Sequence, residues 1–312
     1  MTDSQARGHG HNPRLRDLLP SWRQSDARSA VLGFVDSVTE PGASYVPPAD
    51  RIAAFDNDGT LWCEKPQYVQ ALFTIRRWKE MIQADPARAE EQPYKAVAEN
   101  DQAWLTNLLD HVPDLVKGVG EAYEGVTVAD FERAVRQFFA TATHPVLGLP
   151  YTKVGYQPMR ELLDLLHARE FGVFICSGGG RDFMRPVSEQ MYGIPREHVI
   201  GSATAVEYRH GDLYHTRHVE QPIDDGAGKP EHLWMRTGRK PLLAAGNADG
   251  DIPMLDTARF SLLIRHDDAD REFAYDAGAQ RAQAEAGKRG WTVVSMKSDF
   301  STVFTTEPTR EP

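Results

Sequence analysis

Cysteine is scarce in this 312-residue chain: only Cys63 and Cys176 occur, too few for a disulfide framework. Each reads as a small buried hydrophobe beside a polar cluster. No apolar run approaches the about 18 residues of a membrane-spanning helix, and the opening MTDSQARGHGHNPRLRDLLP holds no apolar segment fit for a signal peptide. The expectation is a cytoplasmic protein with a disordered N-terminal tail, in which His9 and His11 are solvated, and no membrane partner. Positive charge is also in deficit, with 35 Lys and Arg against 45 Asp and Glu, a net charge of −10. That balance argues against nucleic acid as a partner but leaves room for small anions held by local positive charge. Composition specifies no oligomeric state.

What is present is an apolar run that delivers two acids. Residues 53 to 62 read AAFDNDGTLW. Ile52 to Phe55 is short and bounded by polar residues and Gly59, the pattern of a buried strand ending in a turn, so Asp56 and Asp58 stand at a strand's carboxyl end. In open parallel sheets ligands bind at that edge. A single acid there proves little, because turns accept Asp readily. Three further polar clusters also lie near apolar strands: Ser177 with Gly178 to Gly180, Lys229, and GNADGD at 246 to 251.

Along the chain, Ala30, Val31, Phe34, Val35 and Val38 fall at helical spacing, and this arm is expected to pack on the core. From Tyr68 to about Phe139 the pattern is helical, with no convincing strand. HPVLGLPYTKVGYQP at 144 to 158 carries three prolines and two glycines and reads as a hinge or linker. Beyond it come a helix over Met159 to Glu170, a strand over Val173 to Cys176, the loop SGGGR and a helix from about Asp182 to Tyr192. A strand near Val199, a hairpin turning at Gly211, a helix near Glu231, and strands at Leu242 to Ala245, Leu262 to Ile264 and Thr292 to Val294 follow. Such alternation predicts an α/β fold, a doubly wound, Rossmann-like parallel sheet interrupted by a helical insertion.

In the order of its motifs, the stretch from Arg51 to Leu255 resembles the haloacid dehalogenase (HAD) superfamily. The likeness is to its phosphoserine phosphatase-like phosphatases, which carry a helical cap after the first motif. DNDGT matches DxDGT, SGGGRDF the serine motif, Lys229 in GAGKP the isolated lysine, and GNADGDIPML the acidic GDxxxDxxM. Lys240 is the rival lysine. The resemblance implies a tail and arm over residues 1–50, a catalytic core over 51–65 and 155–306, and a cap over 66–154.

It also implies chemistry. Asp56 would attack phosphorus and form an aspartyl-phosphate, and Asp58, on the same side of an extended chain, would act as general acid and then base. Mg²⁺ would be held by Asp56, the Asp58 carbonyl and Asn247, with Asp251 supporting through water. Ser177 and the N–H groups of Gly178 and Gly179, opening a helix, would bind phosphoryl oxygens, and Lys229 would neutralise the remaining charge. Asn247 departs from the family's acid, so Asp251 is expected to carry more of the charge balance, and Asp249 reads as a loop acid. Arg76, Arg77 and Lys79 offer a basic cap face, whose bland alternative is a solvated one; Glu64 and Tyr151 are further candidates for reading the substrate. The function implied is hydrolysis of a small phosphorylated metabolite. Transfer of the phosphoryl group to another acceptor, or non-catalytic phosphate binding, are the alternatives.

Overall fold

The computed structural model describes residues 18–309. His9 and His11, and the rest of the tail before Leu18, lie outside them. Ser25 opens α1 (Asp26–Thr39) by accepting the Arg28 N–H. The helix lays Val31, Val35 and Val38 into the core, and its Phe34 stacks on Phe260 at 4.7 Å, so the arm packs as its spacing predicts. β1 (Ile52–Phe55) follows with all four residues buried.

Five helices follow β1 before the return linker: α2 (Val69–Ala84), α3 (Tyr94–Ala98), α4 (Gln102–Thr106), α5 (Val112–Tyr123) and α6 (Val128–Thr141). Phe73 of α2 sits among Tyr123, Phe131, Phe138 and Phe183, and the Trp78 indole donates to Gly118 O at 2.9 Å, tying α2 to α5. The Pro/Gly-rich stretch expected to be a hinge is the return linker. It runs antiparallel to the outgoing one: Cys63 N donates to Val154 O at 3.0 Å and Tyr156 N to Leu61 O at 2.9 Å. His144 Nδ1 accepts the Val146 and Leu147 N–H groups, so Nε2 carries the proton and donates to Lys65 O at 2.6 Å, binding the two linkers together.

The remaining elements alternate: α7 (Gln157–Ala168), β2 (Gly172–Gly180), α8 (Arg181–Tyr192), β3 (Val199–Ser202), the hairpin β4 (Thr204–Arg209) and β5 (Asp212–Val219), α9 (Gly228–Thr237), β6 (Leu243–Gly246), α10 (Ile252–Thr257), β7 (Phe260–Arg265), α11 (Gln280–Arg289) and β8 (Thr292–Ser295). Six strands form one parallel sheet in the order β3-β2-β1-β6-β7-β8. Ala53 and Phe55 join one apolar cluster, shared with α1 and α7. Ile52 and Ala54 join the other, with Leu233 of α9, Met254 of α10 and Ala282 of α11. Burial on both faces is why these strands read as continuous apolar runs. The chain moves outward from β1 to β3, then returns to β6 beside β1, which places the topological switch between β1 and β6.

The hairpin turns where it was expected, yet it does not extend the main sheet. It docks on the helical insertion instead, with Gly125 N donating to His215 O and His215 N to Val126 O, both at 2.9 Å.

Candidate active site

β1 carries Asp56 just past its last residue, where the Asp56 N–H donates to Ala245 O at 2.9 Å and continues the ladder to β6. Lys229 lies in the first turn of α9, and its ammonium bridges two carboxylates, Asp56 Oδ1 at 2.7 Å and Asp251 Oδ1 at 2.6 Å. Lys240 is exposed and takes no part. The other oxygen of Asp251 accepts the Asn247 and Ala248 N–H groups, each at 2.9 Å. Asp56, Lys229, Asn247 and Asp251 are all buried. Burial works against the Lys229 ammonium, but Asp251 and Asp56 outweigh it and hold its pKa well above the usual lysine value. Burial also raises the Asp56 carboxyl, against the pull of Lys229 and with the push of Asp251 and Asp58.

The turn after Asp56 is set by Gly59, which adopts φ +72 and approaches the Asn247 amide so closely that a Cβ there would collide with it. Thr60 Oγ1 donates to Asn247 Oδ1 at 3.2 Å, and Asn247 Nδ2 lies 3.4 Å from Glu64 Oε1. His266 steadies the same turn, spanning Gly59 O at 2.8 Å and Glu272 Oε2 at 3.2 Å. Trp62 Nε1 donates to Asp58 Oδ1 at 2.8 Å. Burial outweighs that bond and lifts the Asp58 carboxyl to about 7.

Ser177 is buried, but Gly178 and Gly179 do not open a helix. β2 runs on to Gly180, and α8 starts at Arg181. A register shift against β3 between Ser177 and Gly180 keeps the glycines extended, the Gly179 N–H turning to Ser177 Oγ at 3.1 Å. The next N–H, of Gly180, donates to Gln70 Oε1 at 2.6 Å, from the first turn of α2. A Cβ on Gly179 would stand 3.3 Å from Ser177 Oγ and 3.4 Å from both Asp58 Oδ2 and Gln70 Oε1, so these groups converge on one point.

The structure therefore brings together Asp56, Asp58, Ser177, Gly179, Lys229, Asn247 and Asp251, with Gly178 beside them. Asp249 stands apart and accepts the Ala282 N–H at 2.8 Å, as a loop acid should. Arg76 and Arg77 pair with Glu80, and Arg77 also donates to Ala122 O at 3.2 Å, within the insertion; Lys79 is exposed. Tyr151 is buried against Phe138. Gln70 and His266 escaped the sequence reading, and Thr60 and Trp62 stood in the quoted stretch without a role. Each reaches the site through a contact distant in sequence or made by a neutral side chain.

Among the described residues no three His, Cys, Asp or Glu side chains cluster to cage a cation. The groups that would meet a cation are all oxygen donors: the Asp56 carboxylate, the Asp58 carbonyl and the Asn247 amide, with Asp251 in support. That chemistry suits a hard cation that keeps much of its own water and takes one or two protein carboxylates. Both thiols are held protonated by burial, with the acids Glu272 beside Cys63 and Asp224 beside Cys176 adding to the shift.

No curated protein sequence matches the chain. Among solved structures, a conserved protein of unknown function from Anaerococcus prevotii is 14% identical with a TM-score of 0.56, the match covering 86% of this chain and 91% of that one. A protein of unknown function from Bordetella pertussis is 16% identical with a TM-score of 0.49, covering 78% and 98%. A phosphoserine phosphohydrolase-like protein from Francisella tularensis is 13% identical with a TM-score of 0.40, covering 69% and 88%. The first shares the fold. Among the described residues, no helix is long and apolar enough to cross a membrane. The profile of the haloacid dehalogenase-like hydrolases matches residues 53–256, more than half of the chain and the whole span from β1 to the motif around Asp251, and the protein belongs to that family.

Proposed function

We propose that the protein is a Mg²⁺-dependent phosphomonoesterase acting on a small phosphorylated metabolite through an aspartyl-phosphate on Asp56. The observation that carries this reading is the Lys229 ammonium held between Asp56 and Asp251 at the carboxyl end of the central strand. There it can offset the charge of a phosphoryl group brought up to a carboxylate. Asp56, the Asp58 carbonyl, Asn247 and Asp251 would hold Mg²⁺, which when bound supplies positive charge against the phosphoryl oxygens.

In the first step an Asp56 carboxylate oxygen bonds to phosphorus as the ester P–O bond breaks, and Asp58 gives its proton to the departing alkoxide. In the second, Asp58 takes a proton from water as the water oxygen bonds to phosphorus, the P–O bond to Asp56 breaks, and phosphate leaves. Ser177 Oγ and the backbone of Gly178 and Gly179 would orient the phosphoryl oxygens. We assign residues 66–154 as the cap, 51–65 and 155–306 as the core and residues 1–50 as tail and arm. The docked hairpin makes a second connection between cap and core.

The test is release of inorganic phosphate from a panel of phosphorylated metabolites and p-nitrophenyl phosphate, with Mg²⁺ and with a chelator. Turnover should need Mg²⁺ and vanish in Asp56→Asn, whose amide is nearly isosteric but cannot attack phosphorus. Appreciable turnover by a folded Asp56→Asn protein would remove the covalent mechanism.

A further inference from the structure

Asn247 brings a neutral amide to a position from which a metal ligand is expected, and Asp251 is poorly placed to make up the missing charge. Both its oxygens are committed, one to Lys229 and the other to two backbone N–H groups. Glu64 is different. The residue is 6% exposed, and around its Oε1 stand the Asn247 amide nitrogen at 3.4 Å and the Lys65 ammonium at 4.0 Å. Both contacts are long for a buried carboxylate, which is costly to bury without strong compensation, and the Tyr275 phenol beside it brings no charge. Even with Asp58 protonated, as its acid role requires, Asp56, Asp251 and Glu64 outnumber Lys229 and Lys65 among the described residues, a surplus of negative charge that a bound cation would offset.

We propose that Glu64 supplies the negative charge that Asn247 lacks: it stands behind the amide, orients it through Nδ2 so that Oδ1 faces the cation, and raises the affinity of the site for Mg²⁺. Thr60 holds the amide's other end. Glu64 is thus a positioning and charge-balancing residue of the Mg²⁺ site rather than a reader of the substrate. The expectation that Asp251 carries the extra charge is replaced by an acid in the linker leaving β1. This inference rests on the Mg²⁺-phosphatase reading.

The test is calorimetric titration of Mg²⁺ into the full chain without substrate, for the wild type, Glu64→Gln, Asn247→Asp and the double variant. Gln keeps an acceptor for the Asn247 N–H but loses the charge, so Glu64→Gln should bind Mg²⁺ about tenfold more weakly with an unchanged melting temperature. Adding Asn247→Asp moves the charge one residue inward and should restore the affinity. Equal affinity in wild type and Glu64→Gln, or a double variant as weak as Glu64→Gln, would overturn the proposal while leaving the phosphatase reading intact. A Glu64→Gln protein with normal Mg²⁺ binding but a raised KM confined to amine-bearing esters would make Glu64 a substrate contact instead. Absence of Mg²⁺ binding by the wild type would sink the metal reading itself. A Glu64→Gln protein that melts early and is not rescued by Asn247→Asp would make the role merely structural.

Discussion

Gln70 and Gly180 stand 110 residues apart in the chain, and the Gln70 side-chain Oε1 accepts the Gly180 N–H at 2.6 Å. The bond ties the first turn of α2, in the insertion, to the end of β2 that holds Ser177. It also brings the Gln70 amide beside Asp58 and Gly179, where a phosphoryl group would enter. Insertion and strand end are therefore registered against each other at the site itself.

Gln70→Ala should loosen that registration. A neutral hydrogen bond contributes about 0.5–1.5 kcal/mol net, so KM for small phosphate esters should rise by a factor of about two to ten with kcat little changed. Gln70→Glu keeps the oxygen but adds a negative charge next to the substrate phosphate, and its KM should rise further. Steady-state kinetics on both variants checks the order, and a Gln70→Glu protein with wild-type KM would place Gln70 outside the substrate's reach.

For Asp58, the acid role makes the loss depend on the leaving group. A nitrophenolate needs little protonation as it departs, whereas an alkoxide needs much. Asp58→Asn should cut kcat by about 10²–10⁴ for alkyl phosphates and distinctly less for p-nitrophenyl phosphate, provided formation of the intermediate limits both rates. Equal losses on the two substrates, in single-turnover measurements of the first step, would count against proton donation by Asp58.

How much of this was legible in the sequence follows from the range of each contact. Asp56 and Asp58 were readable because strand, turn and acids lie within ten residues, and Lys229 because its motif stands in order between two others. The run SGGGR misled: three glycines signal a loop, yet pairing with β3 across a register shift keeps them extended to Gly180. Gln70 was invisible, since a neutral residue in a helix carries no local sign of a partner more than a hundred residues on. The hairpin was legible from its turn at Gly211, but its docking on Gly125 and Val126 was not, because pairing partners across an insertion leave no period in the sequence.

Lys229→Met should cost stability as well as activity. Two buried carboxylates share this one ammonium, and removing one partner of a buried ion pair leaves uncompensated charge, typically about 3–5 kcal/mol. Denaturant unfolding in the presence of a chelator should show a lower midpoint than the wild type. Adding Asp56→Asn should recover part of the loss by removing one of the stranded charges. A double variant less stable than Lys229→Met alone would mean that Lys229 and Asp56 do not share their charge as the 2.7 Å contact implies.

Gly59→Ala tests the seat of the Asn247 amide, and the chain contains its own control. Gly59 and Gly125 both adopt φ +72, but a Cβ at Gly59 meets the Asn247 side chain whereas one at Gly125 meets nothing within 4 Å. Both alanines therefore incur the left-handed backbone penalty of about 1–2 kcal/mol, and only Gly59→Ala must also displace Asn247 from Thr60 and Glu64. Gly125→Ala should lose stability by about that amount and keep its Mg²⁺ response. Gly59→Ala should lose more stability and need a higher Mg²⁺ concentration for half-maximal activity, because the amide oxygen is moved off its position. Denaturant unfolding and a Mg²⁺ titration of both variants separate strain from displacement. If Gly59→Ala kept the wild-type Mg²⁺ response while losing only as much stability as Gly125→Ala, the close approach of Gly59 would not be what seats Asn247.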